Sequence, residues 1–161
     1  MDFSEVIGQQ HIKSHLIKTV KNGRIPHTQL FVGKSGSGIL PLVLSYAKEI
    51  LCHSFTKGSD EFIACKNKIE KLAHPDLHFV YPVNTNENIK KNPISDNFSS
   101  EWRKFVLKNP YASLYNWYQF IGIEKKQGNI SKLEAVSISK KLSLKAYEGG
   151  YKLMIIWMAD K

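Results

Sequence analysis

The chain has 161 residues, 42% of them apolar, and carries 23 lysines and arginines against 14 aspartates and glutamates, a formal charge of +9. That length suits one domain with a real core, and no stretch approaches the ~18 apolar residues that a membrane span needs. The opening Met1-Asp2-Phe3-Ser4-Glu5 has neither the basic start nor the apolar run of a signal peptide, so a cytoplasmic protein is expected. Two cysteines, Cys52 and Cys65, are too few for a disulfide framework and ordinary for a reducing compartment. The basic balance suits contact with phosphates, and equally a solvated lysine-rich surface.

Along the chain, Ile12, Leu16, Ile17 and Val20 recur at helical spacing between Gly8 and Lys21, with Ser4 a turn ahead, and predict a first amphipathic helix. Gly23-Arg24-Ile25-Pro26 breaks it. Gln29-Leu30-Phe31-Val32 then reads as a short buried strand, followed at once by Gly33-Lys34-Ser35-Gly36-Ser37-Gly38 and by a helix over 40–51 with Pro41 tolerated in its first turn. His74-Pro75-Asp76 leads into a second strand, Leu77 to Tyr81, closed by Pro82. The asparagine-rich stretch Asn84 to Ser100 is expected to be an exposed loop or a disordered insertion. Beyond it Trp102, Phe105 and Val106 have helical spacing, and Tyr111, Leu114, Tyr115, Trp117 and Tyr118 form an aromatic cluster. Such a cluster beside lysines either stacks on bases or packs an inserted helical hairpin onto the domain, the commoner cause. Ser131-Lys132-Leu133-Glu134 has capping-box spacing and starts a helix to about Leu144. Glu148-Gly149-Gly150 turns the chain into a last apolar strand, Tyr151 to Trp157.

Strand, glycine loop, helix is the order of a phosphate-binding loop. In G-x-x-x-x-G-K-[ST] the loop amides cradle phosphates, the lysine offsets their charge and the hydroxyl binds magnesium. Gly33 and Gly38 match, but Ile39 stands in the lysine's place and Leu40 in the hydroxyl's, while Lys34 lies within the loop rather than at the helix start. An ordinary glycine turn between a strand and a helix has the same look. Nucleotide hydrolases of this type also end a buried strand on an acidic pair that holds magnesium and polarises water. Here Ile155-Ile156 runs into Trp157-Met158, and Asp160 comes too late. The frame is kept and the chemistry is missing. Gly33, Lys34, Ser35, Gly36, Ser37, Gly38, Ile39 and Leu40 therefore read as a vestigial nucleotide loop, with no catalytic residue and no metal ligand.

Phe3-Ser4-Glu5-Val6-Ile7-Gly8-Gln9 resembles the opening motif of clamp-loader ATPases of the AAA+ type, and Arg24-Ile25-Pro26-His27-Thr28-Gln29-Leu30-Phe31 resembles their approach to the P-loop. His74-Pro75-Asp76-Leu77-His78, Tyr147-Glu148-Gly149-Gly150-Tyr151-Lys152 and Ala159-Asp160-Lys161 are similar to segments of the delta-prime family of bacterial DNA polymerase III clamp-loader subunits. The likeness fails over 83–129, which reads as an insertion. It implies an α/β fold, a parallel sheet flanked by helices, that breaks off after the acidic-pair strand and leaves a sheet edge able to pair with another copy. The further strands and two more domains of the family, with any arginine finger, would lie beyond Lys161.

The implied function is that of a non-catalytic scaffold without cofactor. It would sit in the ring that loads the sliding clamp on primed DNA, beside ATP-binding subunits of the gamma/tau type and delta. An ATP-binding clamp-loader subunit, or a basic nucleic-acid-binding module, are the alternatives. Related subunits carry a four-cysteine zinc module, and Cys52 and Cys65 fall near its first and last places with the middle two absent. His53 and Asp60 are poor replacements, so two free thiols and no zinc are expected.

Overall fold

A computed structural model describes residues 1–148 and 150–161. The strands Leu77–Val80 (β1) and Leu153–Ile156 (β2) pair in parallel, Leu77 opposite Leu153 and Val80 opposite Ile156. Parallel neighbours need a long crossover, and here it holds most of the chain's second half. The helices are Gln10–Lys21 (α1), Ile39–Leu51 (α2), Asp60–Glu70 (α3), Ser99–Lys108 (α4), Leu114–Phe120 (α5) and Lys132–Ser143 (α6), with a 3-10 turn at Ser95–Phe98 leading into α4. A mixed α/β fold is thus what the chain forms. None of the described helices is long and apolar enough to cross a membrane.

The periodic helices form where their apolar positions fall. In α1, Leu16 and Val20 face Leu42, Tyr46 and Ile50 of α2, while Ile12 is exposed and the buried polar position is Lys13, whose ammonium donates to the carbonyl of Val6. Pro41 sits in the first turn of α2 without cost, since the N–H it lacks would have had no partner there. The buried Lys48 on α2 pairs with Asp2, tying the N-terminus down. Burial, with Lys66 nearby, pushes the Lys48 ammonium below its usual range.

Four sequence expectations need correction. The stretch Gln29-Leu30-Phe31-Val32 is not a strand. Leu30 and Val32 are 83% and 84% exposed, and only Phe31 packs inward, beside Leu153 in the cluster of α1 and α2. A strand exists only as a ladder, and among the described residues β1 and β2 pair only with each other. Nor are the cysteines free. Cys52 at the end of α2 and Cys65 in α3 form a disulfide, with Cα atoms 6.0 Å apart, in a cluster with Leu51, Ile69 and Leu77. Helix α3 has no counterpart among the elements expected from the sequence, although Ser59 caps it by accepting from Phe62 N and Asp60 and Glu61 occupy its first turn.

The third concerns Asn84 to Ser100, of which residues 84–94 are an irregular surface loop as expected, but one held by its own hydrogen bonds, and the chain turns helical from Ser95. Asn86 Oδ1 accepts from the amides of Asn88 and Ile89 and its Nδ2 donates to Ile121 O, while Asn97 Oδ1 accepts from Ile94 N. Asparagine is abundant here because it closes turns on its own backbone. The fourth is the capping box of α6. Ser131 Oγ accepts from Glu134 N, but the Glu134 carboxylate turns away into the interior, where Oε2 accepts from Ser95 N at 2.6 Å. The turn expected at 148–150 includes Gly149, outside the described residues.

The core joins the crossover to the sheet. Trp102 stacks on Tyr81 with ring centroids 4.1 Å apart, Trp117 stands edge-on to both, and Trp157 packs on Trp102 at 5.3 Å. Trp102 and Trp117 are buried, and Trp117 Nε1 donates to Pro82 O. These tryptophans are core, so base stacking is not open to them. At the base of this segment Val83 and Asn129 form an antiparallel bridge, each amide donating to the other's carbonyl at 3.1 and 3.0 Å.

Candidate functional site

The glycine loop connects the irregular stretch 29–32 to α2. Gly36 and Gly38 have φ of 78° and 83°, left-handed values that favour glycine, and Gly38 passes directly into the helix, its carbonyl accepting from Leu42 N. Lys34 and Ser35 are exposed. The Ile39 side chain folds back over Gly33, where a Cβ would lie 2.9 Å from Ile39 Cδ1. Leu40 is buried in the main core with Leu72, Trp102 and Trp157. The two residues standing where a phosphate lysine and a magnesium hydroxyl would be expected are thus one aliphatic packed against the loop and one aliphatic in the core.

Two distant segments close over the same loop. Gln9, itself at φ 56°, donates from Nε2 to Ser37 O at 2.5 Å. Tyr111, between α4 and α5, crosses Gly38 so closely that a Cβ there would lie 3.0 Å from Tyr111 Cε1, and its hydroxyl accepts from Ile7 N at 3.1 Å. Phosphate-binding loops work by leaving amides open at a helix N-terminus. Here the aromatic ring covers Gly38 at the helix start and the carboxamide holds the Ser37 carbonyl, while residues 33–37 stay exposed. Neither contact was legible in the sequence, because Tyr111 follows the loop by more than seventy residues.

β2 runs out into Trp157, which shares the core with Leu40 and whose amide donates to Val80 O, and then Met158 at φ 56°. Asp160 is exposed and pairs with the neighbouring Lys161 at 2.7 Å. No acid stands at the strand's end. Among the described residues there is no group of three His, Cys, Asp or Glu able to hold a metal, and the sulfurs of Cys52 and Cys65 are spent on each other.

The His74-Pro75-Asp76 corner is structural. Asp76 is buried and its two carboxylate oxygens accept from Tyr147 N at 2.6 Å and Glu148 N at 2.8 Å, joining the entry of β1 to the approach to β2. His74 Nδ1 accepts from Asp76 N, and its Nε2 lies 3.2 Å from Glu148 Oε2. Burial pushes the His74 imidazole below its ordinary range despite the two carboxylates, and the Nδ1 contact needs an unprotonated nitrogen.

A family model described as DNA polymerase III, delta subunit, matches residues 8–161. The chain belongs to this family. It is also similar to DNA polymerase III subunit delta' of Bacillus subtilis (strain 168), 36% identical over 76 residues, a stretch that is 46% of this chain and 22% of that protein's length. No solved structure matches the chain. Membership makes the chain delta-prime-like, and the chain spans less than a quarter of the Bacillus subtilis relative's length over the matched stretch. The glycine loop, the His74-Pro75-Asp76 corner and the segment 83–129 all fall inside the matched residues.

Proposed function

We propose that this chain is a non-catalytic scaffold module of the bacterial clamp loader. It would be an AAA+-type domain over 1–161 whose nucleotide loop, Gly33 to Leu40, no longer binds ATP and whose segment 83–129 is an insertion. In this reading it works in the cytoplasm beside ATP-binding subunits of the gamma/tau type and delta, and reaches the sliding clamp and primed DNA through the complex. The observation that carries the reading is the altered loop. Ile39 lies on Gly33, Leu40 is in the core and Tyr111 lies across Gly38, so the helix start lacks the cation and the hydroxyl, and the last glycine of the loop is covered. A P-loop frame without its chemistry has a use only through surfaces offered to other subunits.

The test is to mix the full-length protein with the clamp-loader ATPase subunit and follow complex formation by size-exclusion chromatography. A joint peak at micromolar concentration is expected. Separate elution would overturn the scaffold reading.

A further inference from the structure

Helix α1 carries two histidines on the side that faces away from the fold. Lys13, Leu16 and Val20 form its buried stripe, with Leu16 and Val20 packed against α2 and the Lys13 ammonium donating to Val6 O. At about 3.6 residues per turn, His11 and His15 fall opposite that stripe, and both are exposed. Their i, i+4 spacing sets one above the other with Cβ atoms about 5–6 Å apart, so both imidazoles reach one point over the helix surface. Among the described residues neither ring is committed to an ion pair, and the histidine that does face a carboxylate is His74. The surroundings supply no acid from the same element. No aspartate or glutamate occurs between Glu5 and Glu49. The donor set is therefore two imidazole nitrogens and water. Such donors suit late first-row divalent metals, whose affinity rises through nickel to copper and falls at zinc, whereas magnesium and calcium need oxygen ligands.

We propose that His11 and His15 form a two-point site for a divalent transition metal of this class, with water filling the rest of its shell. In His11-Ile12-Lys13-Ser14-His15, Ile12 stands where the zinc helices with H-E-x-x-H carry their general base, so the site holds a metal without a base to activate its water. The pair spans the least supported part of α1. Its N-cap residue Gln9 makes no side-chain cap and its first turn holds no acid, so a metal held by both rings would fasten the first turn to the second. Gln9 is also the residue whose carboxamide holds Ser37 O, which puts the fastened turn beside that contact with the glycine loop. Lys18, three residues beyond His15 on the same face, and the helix N-terminus both act against a cation and limit the affinity.

The experiment titrates nickel, copper and magnesium chlorides separately into the full-length protein, prepared without a histidine tag, by calorimetry, and then measures thermal unfolding at each end point. One nickel or copper ion per chain in the tighter step and a raised melting temperature are expected, with copper the tighter of the two and magnesium without effect. His11→Gln and His15→Gln, at exposed helical positions that glutamine suits, should each weaken nickel binding roughly tenfold, equivalent to about 1.4 kcal/mol. The double variant should lose little more, because either ring alone already lacks its partner. His27→Gln, at an exposed histidine outside α1, should bind nickel like the parent. Losses from the two single variants that simply add would identify two separate surface imidazoles and overturn the site. Unchanged binding in both single variants, or an equal loss in His27→Gln, would overturn it as well.

Discussion

The amide of Ile7 donates to the hydroxyl of Tyr111, 104 residues further along the chain, and the Tyr111 ring thereby lies across Gly38. The N-terminal segment and the crossover thus meet over the glycine loop. Because Tyr111 covers Gly38, and Ile39 and Leu40 supply neither cation nor hydroxyl, no magnesium-dependent ATP binding at physiological concentration and no turnover are expected. Ile39→Lys with Leu40→Thr should restore little, since Trp157 and Met158 still leave no acid for magnesium or water. Calorimetric titration of both proteins is the check, and tight binding by the parent would refute the expectation.

Removing the Asp76 carboxylate should destabilise the fold strongly. Asp76→Ala leaves the amides of Tyr147 and Glu148 without acceptors in a part-buried setting, at a cost of about 2–4 kcal/mol. Asp76→Asn keeps one acceptor oxygen and should lose less. Urea unfolding of the three proteins orders them, and a harmless Asp76→Ala would contradict the role given to this corner.

Acid should weaken the protein through buried His74 and half-buried His78. Burial holds the folded-state values of His74 and His78 below the ordinary value. The unfolded chain therefore binds more protons as pH falls through the normal histidine range, and stability drops in that window. Above about pH 7.5 both rings are neutral in both states and the effect is absent. Unfolding measured at about pH 7.5 and about pH 5.5 should show the loss, and His78→Gln should show a shallower dependence.

Reducing the bond between Cys52 and Cys65 should cost about 2–3 kcal/mol, the range for a cross-link closing a loop of this size. Thermal melts with and without a thiol reductant measure it. The double substitution to serine should melt like the reduced protein, and should not respond to reductant.

Gly128→Ala should distort the base of the 83–129 segment. A Cβ there would meet Tyr118 Cε1 at 2.7 Å, and the Tyr118 hydroxyl already donates to Gly128 O, so the ring cannot withdraw freely. Overpacking of this kind costs about 1–3 kcal/mol. A lowered melting temperature is expected, and Gly58→Ala provides a contrast, since its left-handed φ of 91° costs backbone energy but a Cβ there would touch nothing.

Local signals were legible where local physics decides. The start of α2, with Gly38 before it and Pro41 in its first turn, and the strand after His74-Pro75-Asp76 could be read because each depends on neighbours a few residues away. Stretch 29–32 misled because an apolar run shows that a segment can be a strand but not that a partner lies beside it. Glu134 misled in the same way, since capping-box spacing cannot reveal that a buried amide at Ser95 competes for its carboxylate. The signal for α3 was present in Ser59-Asp60-Glu61. The contact of Tyr111 with the glycine loop and the disulfide had no signal, for each joins elements whose approach is set by packing.

The bridge between Val83 and Asn129 also bears on the order in which the chain comes together. Bringing β2 alongside β1 closes a loop of dozens of residues, a slow kind of contact to search for. Once Val83 and Asn129 have paired, more than half of that connection is bypassed, and the remaining path is short enough to cut the closure entropy by about 1 kcal/mol. The aromatic side chains within the bypassed stretch give the early contact something to hold. The sheet would then form last, onto a surface already prepared by Trp102 and Trp117, and substitutions at Val83 or Trp117 should slow refolding while those at Ile155 chiefly speed unfolding.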